Sequence, residues 1–569
     1  LSSPFVPIGT LPAGTLVPDP QNPAGAVCEL GQSTLAPTCA DLGSTLDYDA
    51  LVPIVNQGVL AARVGTTLTI KNAILDNRGG TLDGFDGDLV IADAMVNNNG
   101  GTIVAAQAPN PVVLPSAATV GGPSTGDISI SDYLEGDDEG LEAATLFDGV
   151  TFPGDTSMEV DGTVLFIGGS QVSGNLEINL GDFAGGTGQL LVGGSDTSIT
   201  ATVNTIGPGN SVRIDGGTLT TSLFGISAAA IEFTSSGGVL NIPADGNDAL
   251  AIEPGGPFGD QLALRSVETI QFVDPLFSTL DVFGSSSTLT IDGGTLAVAD
   301  LLVDSDASFQ FLSGTLRLNN NGLTIGVDPF SDLLGDNVQM TAGKNLVLQF
   351  DAQVGATGTL TIDGGSLTTS QITVDPGGNF AFMSGNLALT GANLNAEGSG
   401  LLGANLQLDA DRELSISQTL VIAAAGSVAI NGGAHSFGAV DNSAGGSFAF
   451  NSGHLEISGP AGLMIGANAL LGANVALSDN RQLSVTNAVT VDAAAQLDVQ
   501  GRSFSAGSLV NNGLVGGDGR IDAPLANNAG GQFQIAAGDR LTVAGAGSVN
   551  QGTISIDAGA AVFQEDLVN

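Results

Sequence analysis

Lysine is almost missing. Lys71 and Lys344 are the only two, and Lys plus Arg total 12 against 58 Asp and Glu, for a formal net charge of −46. Phosphate recognition depends on neutralisation by Lys and Arg, so this balance excludes nucleic acid and anionic lipid as partners. Cysteine is reduced to Cys28 and Cys39, in a stretch flanked by Pro and Gly. A disulfide closing that short loop is the preferred reading over two free thiols, because the rest of the sequence points to export. Two cysteines and two distant histidines do not have the spacing of a zinc site. No run of 18 apolar residues is present, so no transmembrane segment is expected within these residues. The chain opens on Leu1-Ser-Ser-Pro, without methionine or a charged-then-apolar leader. That start is expected of an exported protein whose signal peptide has been removed, which places it outside the cell or on a bacterial surface.

Helical periodicity is also lacking: no window carries apolar residues at i, i+3, i+4, i+7 over a helix's length. The 84 glycines would each cost a helix interior about 1 kcal/mol. What is present instead is alternation. Leu289, Ile291, Leu296, Val298, Phe309, Phe311, Leu316, Leu318, Leu323 and Ile325 fall in pairs spaced by two, cut off by Gly, Asn, Asp or Ser. This is the pattern of short strands and turns. With 42% hydrophobic residues in such order, the chain has the means to build a core and is not disordered.

The strands repeat as a set. Thr288-Leu-Thr-Ile-Asp-Gly-Gly-Thr-Leu returns as Thr359-Leu-Thr-Ile-Asp-Gly-Gly-Ser-Leu and as Val428-Ala-Ile-Asn-Gly-Gly, with Ile291, Ile362 and Ile430 at the shared position. Phe309-Gln-Phe-Leu-Ser-Gly-Thr-Leu recurs as Phe380-Ala-Phe-Met-Ser-Gly-Asn-Leu and Phe448-Ala-Phe-Asn-Ser-Gly-His-Leu at the same offsets. Leu334-Gly-Asp-Asn, Leu402-Gly-Ala-Asn and Leu471-Gly-Ala-Asn follow, and Lys344, Arg412 and Arg481 recur in step. A period of about 70 residues is an architecture before it is a site. Strands this short bury a face only when copies stack. At roughly 20–25 residues per coil, a unit makes about three coils, each ~4.8 Å above the last. The expected fold is therefore all-β: a right-handed parallel β-helix, or β-solenoid, of ~70-residue repeats, with about 20–25 coils forming a rod on the order of 100–120 Å long.

Three segments are expected along the chain. Residues 1–57 are Pro-rich, show no repeat and read as a leader or cap over the first coil. Residues 58–210 read as an irregular solenoid with an acidic loop inserted near 109–153. Residues 211–569 read as about five long repeats, the first lengthened by an insertion around Pro254 to Pro257.

Units of the form Ile-Asp-Gly-Gly-Thr-Leu, Phe-x-Phe-x-Ser-Gly-x-Leu and Leu-Gly-Ala-Asn resemble the repeats of exported bacterial β-solenoids. Autotransporter passengers, filamentous-haemagglutinin-like adhesins and matrix proteins sorted by a PEP-CTERM signal are the nearest. The likeness is close over 211–569 and loose over 58–210. It implies a β-solenoid fold, export, and a structural or adhesive role without catalysis. Head-to-tail self-association into a filament, through 1–57 and the coil around Gly552 to Phe563, is an alternative, and the partner class expected is an extracellular polysaccharide or a surface ligand. No translocator barrel and no PEP-CTERM tail stand within these residues.

Some parallel β-helices cleave polysaccharides, using clustered carboxylates on one face of the coils. Asp292 and Asp363 belong to a turn that every repeat carries, which marks them as scaffold. Gly122-Pro-Ser-Thr-Gly126 matches a nucleophile pattern but lacks the strand-to-helix elbow around it. His435 and His454, nineteen apart, have the spacing to stack on neighbouring coils; His454 stands where Thr315 and Asn386 stand in sister repeats, a polar surface position. No catalytic residue and no required cofactor are expected. Two acidic clusters have the composition of a calcium site: Asp83, Asp86 and Asp88, and Glu135, Asp137, Asp138 and Glu139. Solvated acidic turns are the preferred reading of both. The Asn runs at Asn97 to Asn99, Asn319 to Asn321, Asn511-Asn512 and Asn527-Asn528 are expected to stack as ladders. Lys344, Arg412 and Arg481 are expected to form a basic row paired with nearby Asp.

Overall fold

Short strands stack in parallel in the computed structural model, which describes strand segments between 16 and 148, most of 150–327, and nearly all of 333–569. The fold is an all-β solenoid of about 18 turns, with no helix among the described residues. The turns are fewer than expected because several coils carry loops that lengthen them. The chain divides into two compact units, 1–314 and 315–569.

In the first unit one face is a run of nine strands from Thr45–Asp47 to Ala230–Phe233, each paired in parallel with the strand of the next coil. Parallel pairing thus reaches back to Thr45, and Ile54–Val55 pairs with Ile74–Asp76. The coil that runs from Val112 to its partner Thr145 is much longer than the next one, from Ala144 to Thr163. The extra length falls between the strands Ser124–Ser131 and Ala144–Asp148, where the acidic run lies. Similarly, the long coil from Leu240 to its partner Ile270 accommodates the segment containing Pro254 and Pro257. Inside, Phe147, Phe152 and Phe166 form a cluster with ring centroids 5.0–5.9 Å apart.

The second unit explains the repeat. Thr369 pairs with Leu389, Leu389 with Ile416, Ile416 with Phe437, and Phe437 with Ile457. The last three steps together span one repeat, and they are unequal: Leu389 to Ile416 is the long one, while the two that follow are nearly the same length. Each repeat is therefore two short coils and one long one. The extra residues of the long coil form the loop ending in Leu402-Gly-Ala-Asn405, and in the next repeat Leu471-Gly-Ala-Asn474. Gly403 and Gly472 sit there at φ of +75° and +76°, a left-handed conformation that a side chain disfavours. The inward positions form apolar ladders: Leu367, Leu387 and Leu414 on one, and Leu408, Ile430 and Phe450 on another. Burying each of these side chains contributes on the order of 1.5–3 kcal/mol.

Polar side chains pair along the stack as well. Asp292 accepts from Ser313 Oγ at 3.0 Å and Asp363 from Ser384 Oγ at 2.9 Å, so the Asp of one Asp-Gly-Gly turn meets the Ser of the next coil. Asn511 donates to Asn527 at 2.8 Å, Asn527 to Asn550 at 2.7 Å, and Asn550 to Asn569 at 2.5 Å. In the first unit Asn56 donates to Asn77 at 2.6 Å. Asn527 is 1% exposed and also donates to the Thr553 carbonyl, so its amide is satisfied on both sides. Asn527→Asp keeps the shape and replaces the donor by a charge facing the Asn550 oxygen. It is expected to destabilise the second unit by about 2–4 kcal/mol, read as a lowered urea midpoint. An unchanged midpoint would show that the ladder carries no stability.

Candidate functional site

The same alternation that sends Leu inward sends every second side chain outward, and parallel stacking sets these in columns ~4.8 Å apart along the coils. One column of the second unit runs through Asn386, paired with Glu413, and through Ala434, paired with His454. The adjacent column holds Ala388, Ser415, Ser436, Glu456 and Ser484 in successive coils. Of Asn386, Glu413, Ala434 and His454, Ala434 alone lacks a polar side chain. The gap it leaves is a groove of about 150 Å³ between Glu413 on one side and His454 and Glu456 on the other.

His454 Nε2 lies 2.9 Å from Ser484 Oγ, and Ser505 Oγ donates to the same Ser484 oxygen at 2.9 Å. A serine oxygen carries one proton and two lone pairs, so Ser484 serves both contacts at once. His435 does something different. It is 2% exposed, accepts the Leu414 N–H on Nδ1 at 3.2 Å, and donates from Nε2 to the Gly432 carbonyl at 2.7 Å. Burial lowers its pKa from the ordinary value, against the raising effects of the Gly432 hydrogen bond and of Glu413. Since His435 pairs with Leu455 and His454 with Ala434, one faces the core and the other the surface. The two histidines do not stack. No family model and no curated protein matches this chain.

The other expected site residues are placed as follows. Lys344 Nζ donates to the Gln339 carbonyl, Arg412 to that of Gln407 at 2.8 Å, and Arg481 to that of Ala476 at 2.7 Å. The row is thus hydrogen-bonded to main-chain carbonyls a few positions back in its own chain, and of the Asp residues expected beside it Asp409 acts on Arg412 through its charge. Each guanidinium also covers a ring, Arg412 over Phe382 at 5.0 Å and Arg481 over Phe450 at 5.1 Å. Burial lowers the pKa of both arginines from its ordinary value. Asp83 ends the strand Thr81–Asp83 and pairs with Val104 and Ala61, while Asp88 begins the strand Asp88–Ala92. Asp86, Glu135, Asp137, Asp138, Glu139 and Cys39 lie outside the described residues, as does the Cys28 side chain. Among the described residues no group of three His, Cys, Asp or Glu is placed to hold a metal ion. Ser124 lies in the strand Ser124–Ser131, which pairs in parallel with Asp155–Asp161. No helix among the described residues is long and apolar enough to cross a membrane.

Reading repeat by repeat would have found both the groove and the buried imidazole. Thr295-Leu296 and Ser366-Leu367 correspond to Ala434-His435, so one copy loses its outward polar group and gains a polar one inside. Asp281 has no such signal. It is 9% exposed, its Oδ1 has no hydrogen-bond partner, and burial raises its pKa.

Proposed function

We propose that this chain is a secreted, non-enzymatic β-solenoid that serves as a structural or adhesive element of a bacterial surface or extracellular matrix. The observation that carries the reading is how the repeated chemistry is used. Asp292 and Asp363 hold the hydroxyls of the next coil, Arg412 and Arg481 cover Phe382 and Phe450 of the preceding one, and the Asn side chains hold one another. A side chain committed to joining coils is not available to a substrate, and a stack extended by such joints presents a long repeated surface. The likeness of the repeat to exported bacterial β-solenoids supports location outside the cell.

Ser484 beside His454 is the arrangement that most resembles a catalytic pair. No third group among the described residues holds the His454 ring, and the Ser484 oxygen also accepts a hydrogen bond from Ser505 Oγ. The protein is therefore expected to leave ester substrates, pectins, alginates and neutral glycans uncleaved and to resist fluorophosphonate labelling. Turnover that disappears in Ser484→Ala would overthrow the non-enzymatic reading. The adhesive role is tested by the retention of protein-coated beads on polysaccharide films. Retention above that of an equally acidic globular protein is expected, and parity would count against adhesion.

A further inference from the structure

The groove at Ala434 has no structural role of its own, unlike the rest of the polar surface described above. Glu413 and Glu456 flank it two coils apart, ~10 Å along the stack. Neither carboxylate has a hydrogen-bond or ion-pair partner among the described residues. Asp292, Asp363 and the ladder asparagines are engaged in joining coils, whereas these two carboxylates line the notch and are free to meet a ligand. Asn386, Ser415 and Ser436 line it with an amide and two hydroxyls.

We propose that this notch binds one hexosamine unit with a free amino group, the sugar ring lying over Ala434 between Glu413 and Glu456. The assignment rests on the adhesive reading above and names its ligand class. A volume of about 150 Å³ is the room of one six-membered sugar ring. Carboxylates form charge-assisted hydrogen bonds with an ammonium group and with sugar hydroxyls, while Ser415, Ser436 and Asn386 both donate and accept, as a ring of hydroxyls requires. An acidic sugar is repelled by both glutamates and by the net charge of −46. A neutral sugar leaves the pair of charges uncompensated. A linear polyamine satisfies the charges but leaves the hydroxyls and the amide of the lining without partners, and such unpaired groups are what discriminates between ligands of equal charge.

The test uses the full chain and the β-1,4-linked disaccharide of glucosamine, titrated by calorimetry at an ionic strength of about 0.15 M, where the Debye length of ~8 Å screens the general field of the protein. One saturable site is expected. Glu413→Gln and Glu456→Gln should each weaken it at least tenfold. Ala434→Gln, which fills the notch without touching charge, should do the same, and the glucose disaccharide should bind at least tenfold more weakly than the amine. Equal binding by wild type and all three variants would overturn the proposal, as would absence of a saturable site. Displacement of the disaccharide by spermidine at equal concentration would overturn it in favour of a polyamine site. The bead assay separates this claim from the adhesive one. Variants that lose the disaccharide yet keep full retention on glucosamine films would sink the notch as the adhesive contact and leave adhesion standing. A wild type that binds the disaccharide but shows no retention would sink adhesion and leave the site.

Discussion

Gly385→Ala is expected to destabilise the second unit by about 3–5 kcal/mol, whereas Gly403→Ala, at a similar backbone conformation, costs only about 1–2 kcal/mol. Both glycines have positive φ, +93° at Gly385 and +75° at Gly403. Their surroundings differ. A methyl group on Gly403 meets nothing within 4 Å, while one on Gly385 overlaps the carbonyl oxygen of Gly365 on the neighbouring coil. Gly385 follows Ser384, whose hydroxyl reaches Asp363, so the backbones are drawn together at the very turn the Asp-Gly-Gly and Ser-Gly motifs build. Gly403 needs only the conformation; Gly385 needs the conformation and the space. In a stack where each coil touches only its neighbours, the damage should remain local. Hydrogen exchange should quicken around Gly365 and Gly385 and leave the amides of 520–543 protected. Equal losses at the two sites would mean that conformation alone sets the requirement.

His435 carries the second large effect. Both ring nitrogens of this buried side chain are engaged, with the Leu414 N–H on Nδ1 and the Gly432 carbonyl on Nε2. His435→Ala leaves a cavity and orphans a buried N–H, and a loss of about 2–5 kcal/mol is expected. His435→Leu matches the ladder neighbours Leu455 and Leu483, so it refills the space and loses only the hydrogen bonds; it should recover a large part of that loss. The same geometry sets a pH dependence. The folded pKa lies below the unfolded value near 6.5, because of burial, so the unfolded chain binds a proton that the folded chain refuses. Stability from this group is present in full above the unfolded pKa. It is lost as pH falls from there through the folded pKa. The charge of Glu413, on the neighbouring coil, opposes the effect of burial without reversing it. Every other titrating group is shared, so the comparison is between wild type and His435→Leu from about pH 7.5 to 5. The wild type should lose stability relative to the variant across that window, and parallel curves would show that His435 is not the titrating group.

These effects divide between what the amino-acid order specifies and what the packed coils add. The strand pattern, the absence of helical periodicity and the long repeat were legible because alternation and turn residues act locally, and because Ile291, Ile362 and Ile430 recur with their neighbours. The Asn ladder at Asn511 and Asn527 was legible too, since identical side chains stacked in register pair with one another. The division of a repeat into one long coil and two short ones was not. Coil length follows from which strands pair, and a loop such as that ending in Leu402-Gly-Ala-Asn405 changes the count without changing the pattern. Nor did spacing reveal that Arg412 and Arg481 would donate to carbonyls and cover a Phe ring, contacts set by what lies across the turn. His435 and His454 show the limit most plainly. By sequence they look like a stacked pair, yet the coils set His435 opposite Leu455, which leaves His454 out of step by a single position. In a strand, one position is the difference between the core and the surface.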